Sequence, residues 1–549
     1  MRRRIKWLVV LTVFLVVVLA AQKPAEKYFD IAKSLDIFAT LFKEVNAYYV
    51  DEVEPQRLIR HGIEGMLESL DPYTDYIPED ELESFQITTT GQYGGIGALI
   101  GIVNKKIVIT HPYKNFPAYR SGIRVGDEIV SINGKNVLSK NPTEISMLLK
   151  GHPKTTLELK VRRAGKSETV THQLTREKIS ITNLSFSGLV EPGIGYIRLD
   201  DFTPGAAREV SEAVLDLKQK GMTKIIMDLR NNPGGLLHEA VNIVSLFIDK
   251  DLDVVSTKGK VEEWNKTYKT LNKPIDKKIA MVILVGEGSA SASEIVAGAL
   301  QDYDRAVLMG HRTFGKGLVQ TTRPLAYNSQ LKVTTAKYYI PSGRCIQALD
   351  YTHRKKDGTV ERFADSLKNE YKTKGGRKVF DGGGLDPDIT VGDEYVGTIT
   401  SALINTGLVF EFASKYCAEN PVKPDLKSFQ LSDKDFENFL SYAKSQRFSY
   451  TSALEDDLSK LVDVAKKERY YDQLGRELKE LENRVQASKS SDLTNYKAEI
   501  INILQEQIGF HYNLYEGQAE VTLKHDKSII EAKKVLNDSL RYNKLLSAN

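Results

Sequence analysis

The chain has 549 residues, which is too long for a single hydrophobic core and predicts several domains. Hydrophobic residues make up 41% and charged residues 27%, proportions that exclude a fibrous protein, a protein with many membrane spans and a wholly disordered chain. The 76 basic and 72 acidic side chains give a net charge of +4, so the composition carries no signature of nucleic-acid binding.

The first 21 residues differ from the rest of the chain. A cluster of basic residues, Arg2 to Lys6, precedes the run WLVVLTVFLVVVLAA. A basic start, a short apolar stretch and small residues at its end are typical of an export signal. A membrane span takes about 20 apolar residues, so we expect residues 1–21 to be a cleaved signal, with a retained signal anchor as the alternative. Both predict an exported protein, in the periplasm or at the outer face of the inner membrane.

Residues 23–88 are predicted to be helical. Apolar residues recur at i, i+1, i+4, i+5 and i+8, the spacing of one helix face, and are expected to pack. They are Ile37, Phe38, Leu41, Phe42 and Val45. The stretch DPYTDYIPEDE, with its two prolines, ends this helical part.

Residues 90–176 consist of short β runs separated by glycine turns, with one helical stretch. The stretches YGGIGALIG and SGIRVGDEIVSINGKNV in this segment resemble a PDZ domain. The resemblance implies a loop whose backbone N–H groups bind the terminal carboxylate of a peptide, beside a strand edge that accepts the peptide. The loop residues are Tyr93, Gly94, Gly95, Ile96 and Gly97. Taken alone, the glycine-rich stretch is equally explained by a hairpin turn.

Residues 178–396 alternate apolar strands with helical segments, a pattern that predicts an α/β core. Residues 397–549 are predicted to be helical and charged. Leu474, Leu478, Leu481 and Val485 form one apolar stripe there. This C-terminal extension is interpreted as a helical appendage or self-association arm, with a solvated helical bundle as the equal alternative.

Three serines, Ser289, Ser291 and Ser293, lie where an apolar strand, a GEG turn and a helical pattern follow one another. N–H groups at the start of a helix favour negative charge, so this junction suits an oxyanion. However, Ser291 and Glu294 also match the S-x-x-E capping box that starts many helices for structural reasons. From this pair alone, the cap is the favoured interpretation.

Lys316, between two glycines, is a candidate base for such a serine. A lysine is protonated in water, but burial in an apolar site lowers its pKa enough for it to accept a proton. Taken alone, a lysine in a glycine loop is more typical of a surface residue or an anion contact. The window has no G-x-S-x-G elbow, and His311 has no local context that marks it as a catalytic base.

Residues 310–316 also fit the phosphate-loop pattern G-x-x-x-x-G-K. The next residue is Gly317, where a phosphate loop needs Ser or Thr, and LVQTTRPL after it is strand-like. A nucleotide-binding protein is therefore a disfavoured alternative.

Four blocks together resemble the carboxyl-terminal processing peptidases, which are tail-specific proteases with a serine–lysine pair. The blocks are MDLRNNPGGLL, GSASASEIVAGALQD, TFGKGLVQ and YYIPSGRCIQ, at residues 227–237, 288–302, 313–320 and 338–347. The resemblance covers residues 23–396. It implies a multidomain α/β protein, in which a serine-protease core with a crotonase-like sheet carries an inserted PDZ domain, an N-terminal helical segment and a C-terminal helical extension.

The family pattern assigns the nucleophile to Ser291, the base to Lys316 and an orienting role to Gln320. It assigns the oxyanion hole to the N–H groups of Ala292 and Gly235, with Gly234 as the fallback. Glycine permits the close backbone approach that such donors need. A plain strand-to-helix turn remains the alternative interpretation of the two glycines.

The resemblance implies no metal and no cofactor. It implies a serine endopeptidase that recognises protein C-termini, with protein or peptide substrates that have free C-termini. The rival hypothesis is a non-catalytic PDZ scaffold or adaptor of the envelope. An adaptor protein, membrane anchoring by the N-terminus and a homo-oligomer formed through the C-terminal helices are left open. The two cysteines, Cys345 and Cys417, are expected to be unpaired thiols, with one bridge as the alternative.

Overall fold

The computed structural model describes residues 28–355, 359–392, 396–489 and 491–548. The chain divides into two compact units. Of the described residues, the first unit comprises 28–79 and Gln320–Thr334, and the second comprises Asp80–Val319, Thr335–Lys355 and those after residue 358. The expected signal, residues 1–21, lies outside the described residues.

The described part of the first unit contains two helices and short strands. Its N-terminal elements are α1 (28–48), α2 (Pro55–Glu68) and β1 (Asp75–Ile77). β1 pairs antiparallel with residues 330–332 of a later strand. The expectation that the apolar face of α1 packs is wrong for Ile37, Phe38 and Leu41, which are exposed. Helical spacing predicts an apolar face but cannot show that a partner surface covers it.

The second unit begins with a small β domain. Its elements are α3 (Leu82–Thr90), β2 (Gln92–Gly95), β3 (Ala98–Val103), β4 (Lys106–Pro112), α4 (Pro117–Arg120), β5 (Glu128–Ile132), β6 (Lys135–Asn136), α5 (Pro142–Leu149), β7 (Thr156–Arg162), β8 (Thr169–Thr175) and β9 (Glu177–Ser180). The main sheet has the order β3-β4-β5-β7-β8, with β6 beside β5, and β2 pairs separately with β9. β3 therefore lies at the edge of its sheet.

The α/β core follows. Its elements up to the chain's midpoint are β10 (Leu184–Glu191), β11 (Ile194–Leu199), α6 (Ala206–Gln219), β12 (Lys224–Asp228), α7 (Leu237–Ser245), β13 (Asp253–Gly259) and β14 (Lys266–Lys269). The remaining core elements are β15 (Ala280–Val285), α8 (Ala292–Asp302), β16 (Val307–Gly310), β17 (Leu318–Pro324), β18 (Gln330–Tyr339), β19 (Leu349–Arg354), β20 (Val360–Arg362), β21 (Glu370–Lys372), β22 (Lys378–Phe380) and β23 (Ile389–Thr390).

The central sheet of the core has six strands in the order β10-β11-β12-β15-β16-β23. All are parallel except β10, which pairs antiparallel with β11 at one edge. Apolar residues on both faces of these strands are buried, as expected for a parallel sheet with helices on both sides. The carboxyl ends of β12 and β15 lie side by side, because Asp228 is in register with Leu284.

The C-terminal region is helical, with elements α9 (Thr398–Asn405), α10 (Leu408–Glu419), α11 (Asp433–Ser445), α12 (Ala453–Lys467), α13 (Tyr471–Lys489), α14 (Asp492–Asn495), α15 (Lys497–Thr522), α16 (Lys527–Asn537) and α17 (Ser539–Leu545). The predicted stripe on α13 buries only Leu478, against α12, whereas Leu474 and Leu481 are exposed. Among the described residues, no helix is both long and apolar enough to cross a bilayer.

The two faces of the central sheet are covered from different parts of the chain. On one face, the strands pack against helices that follow them closely in sequence, α6, α7 and α8. On the other face, Ile226, Val282 and Leu284 belong to a cluster that includes Ile529 and Val535 of α16. The multidomain α/β fold expected from the sequence is confirmed, and its C-terminal extension supplies one of the sheet's two covering layers.

Candidate active site

Ser291 lies between β15 and α8, at the N-cap of the helix. Its backbone angles are φ 55° and ψ −113°, a positive φ that residues other than glycine rarely adopt. Such strain persists only where the surroundings enforce it, and it is concentrated at functional sites. The strand, turn and helix expected around this serine are those observed.

The two neighbouring serines have bonding roles. Ser289 Oγ donates to Leu229 O at 2.7 Å and accepts from Gly286 N at 3.0 Å. Ser293 Oγ donates to Asn232 O at 2.9 Å. Both serines are fully buried, whereas Ser291 between them is not. Ser289 and Ser293 therefore tie the start of α8 to the turn after β12.

Glu294 brings the backbones of Ser291 and Lys316 together. Its Oε2 accepts from Ser291 N at 2.8 Å and from Lys316 N at 2.9 Å. Its Oε1 accepts from Thr313 Oγ1 at 2.6 Å and Gly315 N at 2.8 Å. Burial raises the pKa of Glu294 to about 7, against the lowering effect of these four hydrogen bonds. The capping-box glutamate thus also anchors the lysine loop.

Tyr338 forms a second link between the same two residues. Its hydroxyl lies 3.2 Å from the carbonyl oxygen of Ser291 and 2.5 Å from that of Lys316. Glu294 holds the N–H groups and Tyr338 contacts the carbonyl groups, so the two backbones are fixed side by side. Tyr338 lies in the YYIPSGRCIQ block, but nothing in the sequence indicated this role.

The glycines around Lys316 allow the loop to pack against another segment. A Cβ on Gly315, which has φ +85°, would lie 2.4 Å from Ala348 Cβ, and one on Gly317 would lie 2.8 Å from Gln347 N. Ala348 N donates to Gly315 O at 2.9 Å, and Gly317 N donates to Gln347 Oε1 at 2.8 Å. The backbone of the loop therefore packs closely against residues 347–348. β17 follows this loop, where a phosphate-binding loop would continue into a helix.

The predicted oxyanion donors lie against Ser291. A Cβ on Gly234 would lie 2.7 Å from Ala292 N and 2.9 Å from Ser291 Cβ. The Gly234 N–H is already used, since it donates to Asn232 Oδ1 at 2.8 Å. Within the described residues, the N–H groups of Gly235 and Ala292 have no hydrogen-bond partner. Gly235 and Ala292 are therefore better placed than Gly234 to receive an oxyanion.

A buried ionic cluster lies at the start of this turn, where β12 ends. Arg230 donates to Asp228 from Nε at 3.0 Å and from Nη2 at 2.6 Å. Tyr196 Oη donates to Asp228 Oδ2 at 2.7 Å, and Arg230 Nη2 also contacts Asp526 Oδ2 at 2.7 Å. Sequence reasoning gave these residues no role. The sequence signal for Asp228 and Arg230 was the charged pair in MDLRNN, at the end of an apolar strand.

Gln320 lies on β17, in the first unit, whereas Ser291 and Lys316 belong to the second. Its Nε2 donates to Thr334 Oγ1 at 3.1 Å. Thr334 N donates to Thr74 Oγ1 at 3.2 Å, and Thr74 Oγ1 donates to Asp71 Oδ2 at 3.1 Å. The Gln320 side chain is thus oriented by a chain of polar groups within its own unit. Its assigned role stays a prediction.

The predicted carboxylate loop is divided between a strand and a turn. Tyr93, Gly94 and Gly95 belong to β2, which pairs with β9. A Cβ on Gly94 would lie 2.3 Å from Gly151 O, so this glycine lets β2 pass close to the backbone after α5. Ile96 and Gly97 form the turn before the edge strand β3. Within the described part of the chain, their N–H groups have no hydrogen-bond partner. The role of this loop in binding a peptide carboxylate stays a prediction.

The described residues contain no group of three or more His, Cys, Asp or Glu side chains placed to hold a metal ion. Cys345 and Cys417 are both free thiols. Burial raises the pKa of Cys417 to about 12, so its thiol stays protonated at neutral pH.

Three family models match separate parts of the chain. Residues 193–353 match peptidase family S41, residues 108–163 match a PDZ domain, and residues 399–536 match a domain described as "Probable PDZ-protease, C-terminal helical domain". The photosystem II D1 C-terminal processing protease is a similar solved structure, with 28% identity and a TM-score of 0.35. The match covers 64% of this chain and 92% of that one.

Curated relatives match over more than half of the chain. A "Carboxy-terminal-processing protease" of Bartonella bacilliformis is 35% identical over 324 residues, covering 58% of this chain and 74% of the relative. A "Probable CtpA-like serine protease" of Staphylococcus aureus is 38% identical over 315 residues, covering 57% and 62%. This chain belongs to the carboxy-terminal-processing protease family, as a peptidase of family S41 with a PDZ domain.

Proposed function

We propose that the protein is a serine endopeptidase of the cell envelope that binds the C-terminus of a protein through its PDZ domain and cuts peptide bonds with Ser291 and Lys316. The observation that carries this proposal is the double link between the two residues, made by the Glu294 carboxylate at their N–H groups and by the Tyr338 hydroxyl at their carbonyl groups.

Catalysis in this proposal follows the general logic of acyl transfer. Lys316, with its amine neutral, accepts the hydroxyl proton as Ser291 Oγ attacks the substrate carbonyl. The N–H groups of Gly235 and Ala292 stabilise the tetrahedral oxyanion, and each such donor contributes about 3 kcal/mol to the transition state. Lys316 then protonates the leaving amine, and water hydrolyses the acyl-enzyme.

Gln320, four residues after Lys316 in sequence, has the orienting role in this proposal. The hydrogen bond from its amide to Thr334 fixes which way the side chain points, which supports a positioning role. Gln320→Ala should lower kcat about 10-fold and less than Lys316→Ala does. An unchanged kcat would remove Gln320 from the mechanism without touching the other two residues.

Substrate capture rests on the edge strand β3 and the turn before it. β3 pairs with β4 on one side only, so an extended peptide can add to its other edge. Leu99 and Ile102 on β3 and Met147 on α5 are exposed, and they provide an apolar surface for the last side chains of a substrate. The N–H groups of Ile96 and Gly97 are then the donors for its terminal carboxylate.

The test uses an unfolded protein that ends in apolar residues. Ser291→Ala and Lys316→Ala should abolish its cleavage while the melting temperature stays unchanged, and Lys316→Arg should also be inactive because a guanidinium stays protonated. Lys378→Ala, which removes an exposed lysine paired with Glu370, serves as the matched control and should stay active. Peptide binding without any cleavage by the wild type would favour the scaffold hypothesis.

Tail recognition is tested separately. The same polypeptide is offered with a free and with an amidated C-terminus, and the free form should be cleaved faster through a lower KM. Equal rates would remove the PDZ part of the proposal and leave the peptidase part intact. A metal chelator should leave the cleavage rate unchanged.

The envelope location rests on the basic and apolar N-terminal segment. Fractionation of cells that produce the full chain should find the protein outside the cytoplasm, and the N-terminal sequence of the purified protein will show whether residues 1–21 are removed. Recovery of the protein in the cytoplasm would contradict the envelope location and leave the peptidase proposal unchanged.

A further inference from the structure

Asp526 is the N-cap of α16, and its two carboxylate oxygens have different partners. Oδ1 accepts from Ile529 N at 3.0 Å, which caps the helix. Oδ2 accepts from Arg230 Nη2 at 2.7 Å, and the Asp526 side chain is only 13% exposed. One carboxylate thus joins the C-terminal helical region to an arginine of the peptidase core.

Arg230 is held from both sides. Asp228, whose side chain is 1% exposed, contacts its Nε and Nη2 atoms, and Asp526 contacts Nη2 from the C-terminal region. Asp228 Oδ1 also accepts from the backbone N of Arg230 at 2.9 Å. A planar guanidinium held by two carboxylates has a fixed direction. One of the two carboxylates that hold Arg230 therefore comes from the C-terminal helical region, 296 residues further along the chain.

The backbone that follows Arg230 leads directly to the predicted oxyanion donors. Asn231 has φ 61°, and Asn232 Nδ2 donates to Leu199 O at 2.7 Å. Asn232 O accepts from Ala290 N at 3.0 Å, next to Ser291. Asn232 Oδ1 also accepts from Gly234 N at 2.8 Å. A shift of Arg230 would therefore act through Asn232 on the backbone that carries Gly235.

We propose that Asp526 is a positioning residue for catalysis: by clamping Arg230, the C-terminal helical domain holds the 229–235 turn in the geometry that aims the Gly235 N–H at the reacting carbonyl. The inference rests on the proposed function, because it assigns Asp526 a task at that same site. The peptidase match ends at residue 353, and Asp526 belongs to the separately matched helical domain. The helical domain therefore contributes to the peptidase site and does more than cover the sheet.

The central variant is Asp526→Asn. Asparagine caps a helix as well as aspartate does, so the bond to Ile529 is kept while the charge facing Arg230 is lost. We expect kcat to fall about 10-fold with KM within twofold of the wild type. The affinity for a peptide aldehyde, which forms a tetrahedral adduct with Ser291, should fall by a similar factor. Asp526→Glu keeps the charge and should recover part of the activity.

The matched control is Glu531→Gln on the same helix. Glu531 pairs with Arg541 of α17 at 2.8 Å and supports the same pair of helices without contacting Arg230. Glu531→Gln should keep the wild-type kcat. Wild-type kcat in Asp526→Asn, or an equal loss in both variants, would overturn the proposal.

Amide exchange gives a readout that needs no substrate. Exchange within residues 229–235 should be faster in Asp526→Asn than in the wild type and unchanged in Glu531→Gln. Unchanged exchange in Asp526→Asn would overturn the clamp even if the wild type proved inactive. If Ser291→Ala still cleaved the substrate as the wild type does, the proposed function would be contradicted. The clamp between Asp526 and Arg230 would not be affected by that result.

Discussion

Asp228, at the end of β12, and Glu294, in the first turn of α8, are both buried carboxylates, but they are stabilised by opposite means. Asp228 has a cation, Arg230, and the hydroxyl of Tyr196. The four hydrogen-bond donors of Glu294 are neutral N–H and O–H groups. One carboxylate is therefore part of an ion pair, and the other accepts from four neutral donors.

The two pKa values differ accordingly. Burial alone raises the pKa of Asp228, but the Arg230 charge and the hydrogen bonds outweigh burial, and the pKa is lowered. For Glu294 burial outweighs the donors, and the pKa is raised to about 7. A guanidinium keeps Asp228 ionised at any working pH, whereas Glu294 titrates near neutrality. The α8 side of the site is thus the pH-sensitive side.

The largest effect is expected from Glu294→Gln. A glutamine amide presents its NH2 group to two of the four donors, so either the link between Ser291 and Lys316 or the contact with Thr313 is lost. Because a misplacement of about 1 Å at a catalytic group costs about 100-fold, kcat should fall by at least that factor. The measurement is steady-state cleavage of the unfolded substrate.

Glu209→Gln is the control for that variant. Glu209 also accepts from neutral donors, among them Asn183 N at 2.8 Å, but lies on α6 and contacts neither Ser291 nor Lys316. Loss of the Glu209 carboxylate should lower the free energy of unfolding without changing kcat. A glutamine at 294 that left kcat intact would show that the Glu294 bonds do not position the two residues.

Asp228→Asn should have the next largest effect, on stability. The substitution leaves the buried Arg230 with one carboxylate fewer, and breaking a buried ion pair costs about 3–5 kcal/mol. Urea unfolding should show this loss, and kcat should fall as well because the same arginine precedes the 229–235 turn. A loss below about 1 kcal/mol would mean that Asp526 alone neutralises Arg230.

The pH dependence of stability separates the two carboxylates. Glu294, with its pKa raised from 4.5 to about 7, contributes stability that is present below pH 4.5 and is lost as the pH rises through 7, a change of up to about 3 kcal/mol. Asp228, with a lowered pKa, contributes stability that is present above pH 3.8 and is lost as the pH falls through its lowered value. Urea titrations from pH 4 to 8 should therefore show a slope in the wild type that Glu294→Gln lacks. Parallel curves for the two proteins would contradict the raised pKa.

Tyr196→Phe should have the smallest effect. It removes one hydrogen bond to Asp228 and leaves the arginine contacts in place, so the expected cost is about 1 kcal/mol, with kcat changed less than twofold. Thermal unfolding measures the first quantity and the cleavage assay the second. A kcat loss as large as that of Asp228→Asn would show that the hydroxyl, and not the guanidinium, sets the geometry of the turn.

Sequence reasoning was most effective where function depends on local order. The apolar strand, the GEG turn and the helix around Ser291 are adjacent in the chain, and their hydrophobic pattern predicts them directly. The two glycines beside Lys316 marked the loop in the sequence, but the segment that the loop packs against, residues 347–348, could not be identified from it. The strand–helix alternation likewise predicted the α/β core.

The remaining features depend on contacts between distant residues. Nothing near Asp526 in sequence marks it as the partner of Arg230, because an aspartate before a helix is also an ordinary cap. The division of the YGGIG stretch arises from the pairing of β2 with β9, a contact across the whole β domain. The apolar residues of α1 recur with helical spacing although their face is exposed. Periodicity therefore could not distinguish an exposed apolar face from a buried one.

The helices α16 and α17, which cover one face of the central sheet, are the last elements of the chain to be synthesised. A ribosome releases β11, β12, β15 and β16 long before it releases α16 and α17, so one apolar side of the sheet has no cover during most of translation. Until those last helices dock, the nascent chain is prone to aggregate and Arg230 lacks its second carboxylate. The central sheet is therefore covered on both faces only after the helical extension has been synthesised.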